Sequence, residues 1–266
     1  MTEPGDLVGV ASPTYAMYNV YSKLFQVTLD EIEYTKNLEF NFQAFEEFLD
    51  KKPTVFFLPN PNQPVESAFT INELREFAKK TLAQNCLFII DEAYYGFGAD
   101  TVAPLINQYD NLIVSRSLSK SHALAGLRVG YALAHQDLIE GLNRVKDSFN
   151  SYPLDAVAQA AAKVAICDAS WQGQSVAVIT ESRSKMTEGL EALGFEVLPS
   201  SANFIFIQHR ALSGRTVFDG LRQQDILVRR WDKPRVDNWL RITVGTLAQT
   251  SALLAACAAL CAAEEA

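Results

Sequence analysis

Lys120 closes the run Ser117-Leu118-Ser119-Lys120, and eight residues later Arg128 stands in Ala125-Gly126-Leu127-Arg128-Val129-Gly130-Tyr131. A lysine flanked by hydroxyls in a turn, with a guanidinium in reach, is suited to hold a carbonyl as an imine beside a bound phosphate. Most lysines at strand ends are simply solvated, so the reading needs a second set of reactive groups. Phe88-Ile89-Ile90-Asp91-Glu92-Ala93-Tyr94-Tyr95 supplies it, because an apolar run too hydrophobic for a surface strand ends in Asp91, with Tyr94 three residues on. A buried parallel strand presents its carboxyl end to a ligand crevice. An aspartate there can keep a pyridine nitrogen protonated while a tyrosine hydroxyl meets a ring oxygen. Those are the demands of pyridoxal 5'-phosphate (PLP), with Lys120 as imine-forming amine and proton shuttle, Asp91 at the ring nitrogen and Tyr94 at the phenolic oxygen.

Such groups must be held by strands, and the chain offers them in alternation. Strand-like runs fall at about Leu7–Val10, Gln26–Leu29, Thr54–Leu58, Leu87–Asp91, Leu112–Ser115 and Val129–Ala134. Helical patterns separate them at about Tyr15–Lys23, Phe42–Leu49, Ile71–Ala83 and Gln136–Val145. This order predicts an α/β fold with a doubly wound, mostly parallel sheet. Thr70 with Glu73 reads as a capping box, which fixes one helix start. Beyond Ser151-Tyr152-Pro153 the pattern changes to long helices, about Leu154–Cys167 and Gln172–Leu193. Short strands follow at Phe204–Gln208, Ile226–Arg229 and Leu240–Val244, then a closing helix. A large domain over 1–159 and a small α+β domain over 160–266 are expected. In an alternating strand Arg241 shares a face with Thr243, opposite Leu240 and Ile242.

Composition narrows the function classes. The chain has 266 residues, 48% of them hydrophobic, and a formal net charge of −8, so it can bury a sizeable core but lacks the basic face that a nucleic-acid binder needs. Cys86, Cys167, Cys257 and Cys261 show no metal-type spacing and fit a reducing, cytoplasmic setting. No metal and no membrane partner are expected. The acidic, polar start Met1-Thr2-Glu3-Pro4-Gly5-Asp6 does not read as a signal peptide, and the apolar stretch from Ser251 to Ala263 is too short to span a bilayer.

The ordered set Pro13-Thr14-Tyr15-Ala16-Met17-Tyr18, Asn60-Pro61-Asn62-Gln63-Pro64, Asp91-Glu92-Ala93-Tyr94, Ser117-Leu118-Ser119-Lys120, Arg128 and Leu240-Arg241-Ile242-Thr243-Val244-Gly245-Thr246 resembles the fold-type I, class I/II aminotransferases, and within them the histidinol-phosphate branch, over nearly the whole chain. The resemblance implies PLP as cofactor, with Tyr15 stacked on its ring and Ser117, Ser119 and Arg128 on its phosphate. It further implies Arg241 on a substrate carboxylate or phosphate, Arg229 on a second anion, Asn203 near the substrate, and a homodimer that passes an amino group from an amino donor to a 2-oxo acid. Histidinol phosphate with 2-oxoglutarate is the pair it points to. An aromatic aminotransferase or a threonine-phosphate decarboxylase reuses the same scaffold. Two departures stand out. The family's Asn-Pro-Thr-Gly reads Gln63-Pro64-Val65-Glu66 here, leaving either Asn62 or Gln63 to reach the ring oxygen, and Glu66 replaces a turn glycine. Gly5-Asp6-Leu7-Val8 also matches a region well inside the family's sequences, which implies that a leading segment with a phosphate-binding helix is absent and keeps a non-catalytic remnant among the readings.

Overall fold

The structure, a computed structural model, describes residues 2–65, 68–150 and 152–264. It divides into two compact units, one of Met1–Gln63 and Ser67–Ala169, the other of Pro64–Glu66 and Ser170–Ala266.

The first unit is built on β1 (Leu7–Ser12), β2 (Thr28–Glu33), β3 (Val55–Pro59), β4 (Leu87–Asp91), β5 (Leu112–Ser117) and β6 (Gly130–Ala134). They form one sheet in the order β2-β1-β3-β4-β5-β6, parallel throughout except for β6, which runs antiparallel to β5. Helices α1 (Met17–Leu24), α2 (Phe42–Asp50), α3 (Ile71–Ala83), α4 (Gln136–Phe149) and α5 (Ala156–Cys167) accompany it. The doubly wound α/β expectation is met, since buried apolar strands and amphipathic helices leave few other layer arrangements.

Local chemistry sets the boundaries. Thr70 and Glu73 form the expected reciprocal box at the start of α3, and the Asn41 side chain accepts from Ala44 N–H at 3.1 Å to start α2. These helices present Phe45, Phe48 and Phe77 to Phe56 and Phe88 of the sheet, the last two stacked at 5.7 Å. Gly9 makes the layer close, because a Cβ there would lie 2.2 Å from Cζ of Phe48. The parallel register aligns Pro59, Asp91 and Ser115 across three neighbouring carboxyl ends.

Helix α5 packs Ala158 and Ala162 with Leu118 and Val129, so it belongs to the first unit and the second begins beyond the expected join near 160. The second unit contains α6 (Ala169–Ala192), β7 (Phe195–Val197), β8 (Phe204–His209), α7 (Gly214–Arg222), β9 (Arg229–Arg230), β10 (Leu240–Thr243) and α8 (Leu247–Glu264). Its sheet has the order β7-β8-β10-β9. Ile205, Ile207, Leu240 and Ile242 share a core with Leu190, Leu221, Leu253 and Cys257 from the helices. The closing helix is longer than the expected Ser251–Ala263. At 18 residues and mean hydropathy 1.5, α8 matches a membrane span in length and composition, yet Thr250, Leu253, Ala256 and Cys257 are buried in this unit.

Candidate active site

The carboxyl ends of β3, β4 and β5 open on a cavity of about 360 Å³ in the first unit. Tyr15, Gln63, Asp91, Tyr94, Ser117, Ser119, Lys120 and Arg128 all line it. Residues up to 113 positions apart in sequence thus meet because parallel register puts their strand ends side by side.

Asp91 ends β4. Its Oδ1 accepts from Ala93 N–H at 3.0 Å and from the Ser115 hydroxyl at 3.3 Å, and its Oδ2 accepts from the Tyr18 hydroxyl at 3.2 Å. The residue keeps some surface at the cavity wall, but its carboxyl is enclosed by these groups, and the enclosure governs its acidity. Burial pushes the carboxyl above its ordinary range, and the donors pull back toward the anion. Tyr18 is itself pushed well above 10 by burial and by the neighbouring Asp91, so its hydroxyl stays a donor.

The end of β5 and the segment after it carry Lys120 and the residues expected to hold an anion, Ser117, Ser119 and Arg128. Ser117 Oγ accepts from Ser119 N–H at 3.1 Å, which folds the hydroxyl run into a tight turn. Lys120 is exposed, with Nζ 5.9 Å from the Tyr94 ring centroid. Arg128 adopts a left-handed backbone (φ 56°) and donates to Ala125 C=O at 3.1 Å. That conformation is uncommon for a residue with a side chain and marks backbone held in place by its surroundings.

Gln63 and Asn62 part company here. Tyr94 Oη donates to Gln63 Oε1 in the cavity. Asn62 is fully buried and points into the fold, donating to Pro13 C=O and Tyr34 Oη at 3.0 Å each and accepting from Thr14 Oγ1 at 2.7 Å. These contacts commit the Asn62 amide within the fold and leave Gln63 as the one of the two that lines the cavity. Glu66 lies outside the described residues.

Several contributors escaped the sequence reading. Ser115 lies two residues before Ser117 and so on the same strand face, and Tyr18 lies one helical turn from Tyr15. Arg116 also lines the cavity, but its guanidinium is engaged by Glu92, only 1% exposed, with Nε and Nη2 each 2.9 Å from Oε2. Thr101 Oγ1 and Val102 N–H complete the carboxylate's partners, and the guanidinium lies 3.6 Å from the Tyr95 ring centroid. This bound pair leaves Arg128 as the guanidinium available to an anion in the cavity.

Arg229, Arg241 and Asn203 lie in the second unit. Arg241 stands directly opposite Arg229 in the antiparallel β10–β9 pair. Trp231 gathers both, with ring centroid 5.6 Å from the Arg229 guanidinium and 5.8 Å from that of Arg241, which also lies 5.3 Å from the Phe204 ring. Asn203 precedes β8 and accepts from Val244 N–H through its backbone carbonyl at 2.9 Å.

A sequence model of the family described as aminotransferase class I and II matches residues 1–257. The chain belongs to the class I and II aminotransferases. Among curated members of this family, it is 44% identical over 234 residues to a histidinol-phosphate aminotransferase of Gluconacetobacter diazotrophicus, covering 88% of this chain and 64% of that one. It is 45% identical over 251 residues to histidinol-phosphate aminotransferase 2 of Thiobacillus denitrificans, covering 93% and 68%. The chain therefore spans about two thirds of the length of these aminotransferases. In fold it superimposes on the histidinol-phosphate aminotransferase of Sinorhizobium meliloti, solved with PLP, at a TM-score of 0.89 and 21% identity over 99% of this chain and 72% of that one.

The cavity's donor set suits PLP. It offers a carboxylate held by three hydrogen bonds, a lysine amine, two serine hydroxyls, an arginine whose one hydrogen bond among those described is to a backbone carbonyl, and Tyr15, which is 45% exposed. No group of His, Cys, Asp and Glu among the described residues could hold a metal ion.

Proposed function

We propose that the chain is a PLP-dependent aminotransferase that moves the amino group of histidinol phosphate to 2-oxoglutarate, as a cytoplasmic homodimer in histidine biosynthesis. The meeting of Lys120, Asp91, Ser117, Ser119 and Arg128 in one cavity carries the reading, and the names of relatives at 44% and 45% identity support the donor. Exposed apolar side chains such as Leu24 at 68%, Phe25 at 61% and Phe149 at 79% support coverage by a second copy. Sedimentation of the purified chain tests that coverage.

PLP, when bound, supplies an aldehyde carbon and an electron sink. The chain's residues would do the rest. Asp91, anionic, holds a proton on the ring nitrogen, and the enclosure that makes it hard to ionise also strengthens its pairing with a cation. Tyr94, whose hydroxyl donates to Gln63 in the cavity, would turn that one hydrogen to the ring oxygen, and Tyr15 would cover a ring face. Ser117, Ser119 and Arg128 hold the phosphate through charge-assisted hydrogen bonds. Lys120 Nζ would hold the aldehyde carbon and, as a free amine, would be the base for the proton of the donor Cα. Arg229 and Arg241 would anchor the donor phosphate and the substrate carboxylate.

The test is to titrate the purified chain with PLP, reduce with borohydride and map the added mass. Fixation on Lys120 is expected, and Lys120→Ala should lose it together with turnover while melting as the parent does, since the side chain is exposed. An absence of fixation rejects the reading. Glutamate formation from histidinol phosphate against phenylalanine then assigns the donor, and preference for phenylalanine would reject histidinol phosphate.

A further inference from the structure

We propose that Tyr18 is a positioning residue for the cofactor ring, fixing with one side chain both the carboxylate that meets the ring nitrogen and the tyrosine that covers the ring face. The proposal rests on the PLP reading above. Tyr18 is buried at 9% exposure in α1, and its hydroxyl donates to Asp91 Oδ2 at 3.2 Å. Its ring meets Tyr15 edge-on, with centroids 6.0 Å apart at 89°, and leans on Phe57 of β3 at 5.2 Å. A phenylalanine would satisfy the packing alone, so the hydroxyl has a separate task.

The surroundings of Asp91 show what that task is. Ser115 of β5 and Ala93 N–H both donate to Oδ1, leaving Oδ2 to Tyr18 among the described hydrogen bonds. The other titratable or charged groups lining the same cavity are Tyr15 from the segment before α1, Tyr94 from the loop after β4, Arg116 from β5, and Lys120 and Arg128 from the segment after it. Arg116 is already paired with Glu92. Tyr18 thus fixes the rotation of the carboxylate and favours its anion against the effect of burial. Without the hydroxyl, the carboxyl ionises only at higher pH, and a neutral Asp91 cannot pair with a protonated ring.

The test is equilibrium binding of PLP to the full chain and to Tyr18→Phe and Tyr18→Leu, followed by cofactor absorbance and by borohydride-fixed mass on Lys120. Tyr18→Phe keeps the ring and its packing, so any fall in its melting temperature reads the loss of the donor to Oδ2. Its PLP affinity should be about tenfold lower near pH 5.5 and converge to within about twofold near pH 8, as expected for losing a hydrogen bond to a charged group. A loss equal at every pH, or no loss, overturns the role at Asp91. Tyr18→Leu, which also frees Tyr15, should bind more weakly than Tyr18→Phe at every pH, and equality of the two overturns the role at Tyr15. A parent chain that fixes no PLP on Lys120 instead rejects the cofactor reading, and Tyr18's role with it.

Discussion

Asp91 serves the loaded chain at the expense of the empty one. Its carboxyl is pushed up by burial, so the folded chain holds that proton more tightly than the unfolded chain does. A raised folded value contributes stability below the ordinary carboxylate range, about pH 4, which is lost as pH rises through the folded value. Asp91→Asn should therefore stabilise the cofactor-free chain at neutral pH, with the gain vanishing toward pH 4, while sharply lowering PLP affinity. Thermal melts across that range with and without PLP check both signs, and a melting temperature that falls at neutral pH would contradict the first. At this scale the sequence displayed reactive residues well and supporting ones poorly. Lys120, Asp91, Tyr94 and Arg128 stood out because their types are costly to place without a task. Asn62 and Gln63 are neighbours of similar chemistry, and only the contacts of Asn62 with Thr14, Pro13 and Tyr34 separate them.

At the scale of elements, the small sheet places two like charges face to face. Arg241 lies opposite Arg229, an arrangement that is unfavourable unless something between the charges relieves it. Trp231 supplies part of that relief through its ring face, and a bound anion would add to it. Arg229→Ala should raise KM for a phosphorylated donor by about tenfold to a hundredfold, the weight of a charge-assisted contact, and much less for an unphosphorylated analogue. Arg241→Ala should impair both half-reactions. Steady-state kinetics with paired donors check this, and equal losses for the two donors would shift the reading toward an aromatic aminotransferase. Element boundaries were legible where a side chain sets them, as Thr70 does for α3. They were illegible where backbone does. The left-handed turn at Gln26 (φ 56°) delays β2 to Thr28, and β7 is a three-residue strand, Phe195–Val197, too short to show a period.

For the whole molecule, the burial of the thiols separates local opening from unfolding. Cys86 in the first unit and Cys257 in the second are buried, and burial pushes each to about 12, with Cys261 adding to the effect on Cys257. Cys167 is exposed. Because the thiolate is the reactive form, a thiol reagent at neutral pH should label Cys167 at once, and Cys86 or Cys257 only as its own unit opens. Peptide mapping over a denaturant series would then report whether the units unfold together, and immediate labelling of Cys86 in native buffer would contradict its burial. The placement of the tryptophans extends this to light. Trp171 is 44% exposed, Trp239 is 6% exposed and stacked on Phe206 at 5.0 Å, and Trp231 touches two guanidiniums. With Trp171 and Trp239 replaced by phenylalanine, the emission of Trp231 becomes a built-in optical gauge of charge at the arginine pair. Phosphate titration should change its intensity or colour in the parent background and leave it unchanged once Arg229 and Arg241 are both alanine.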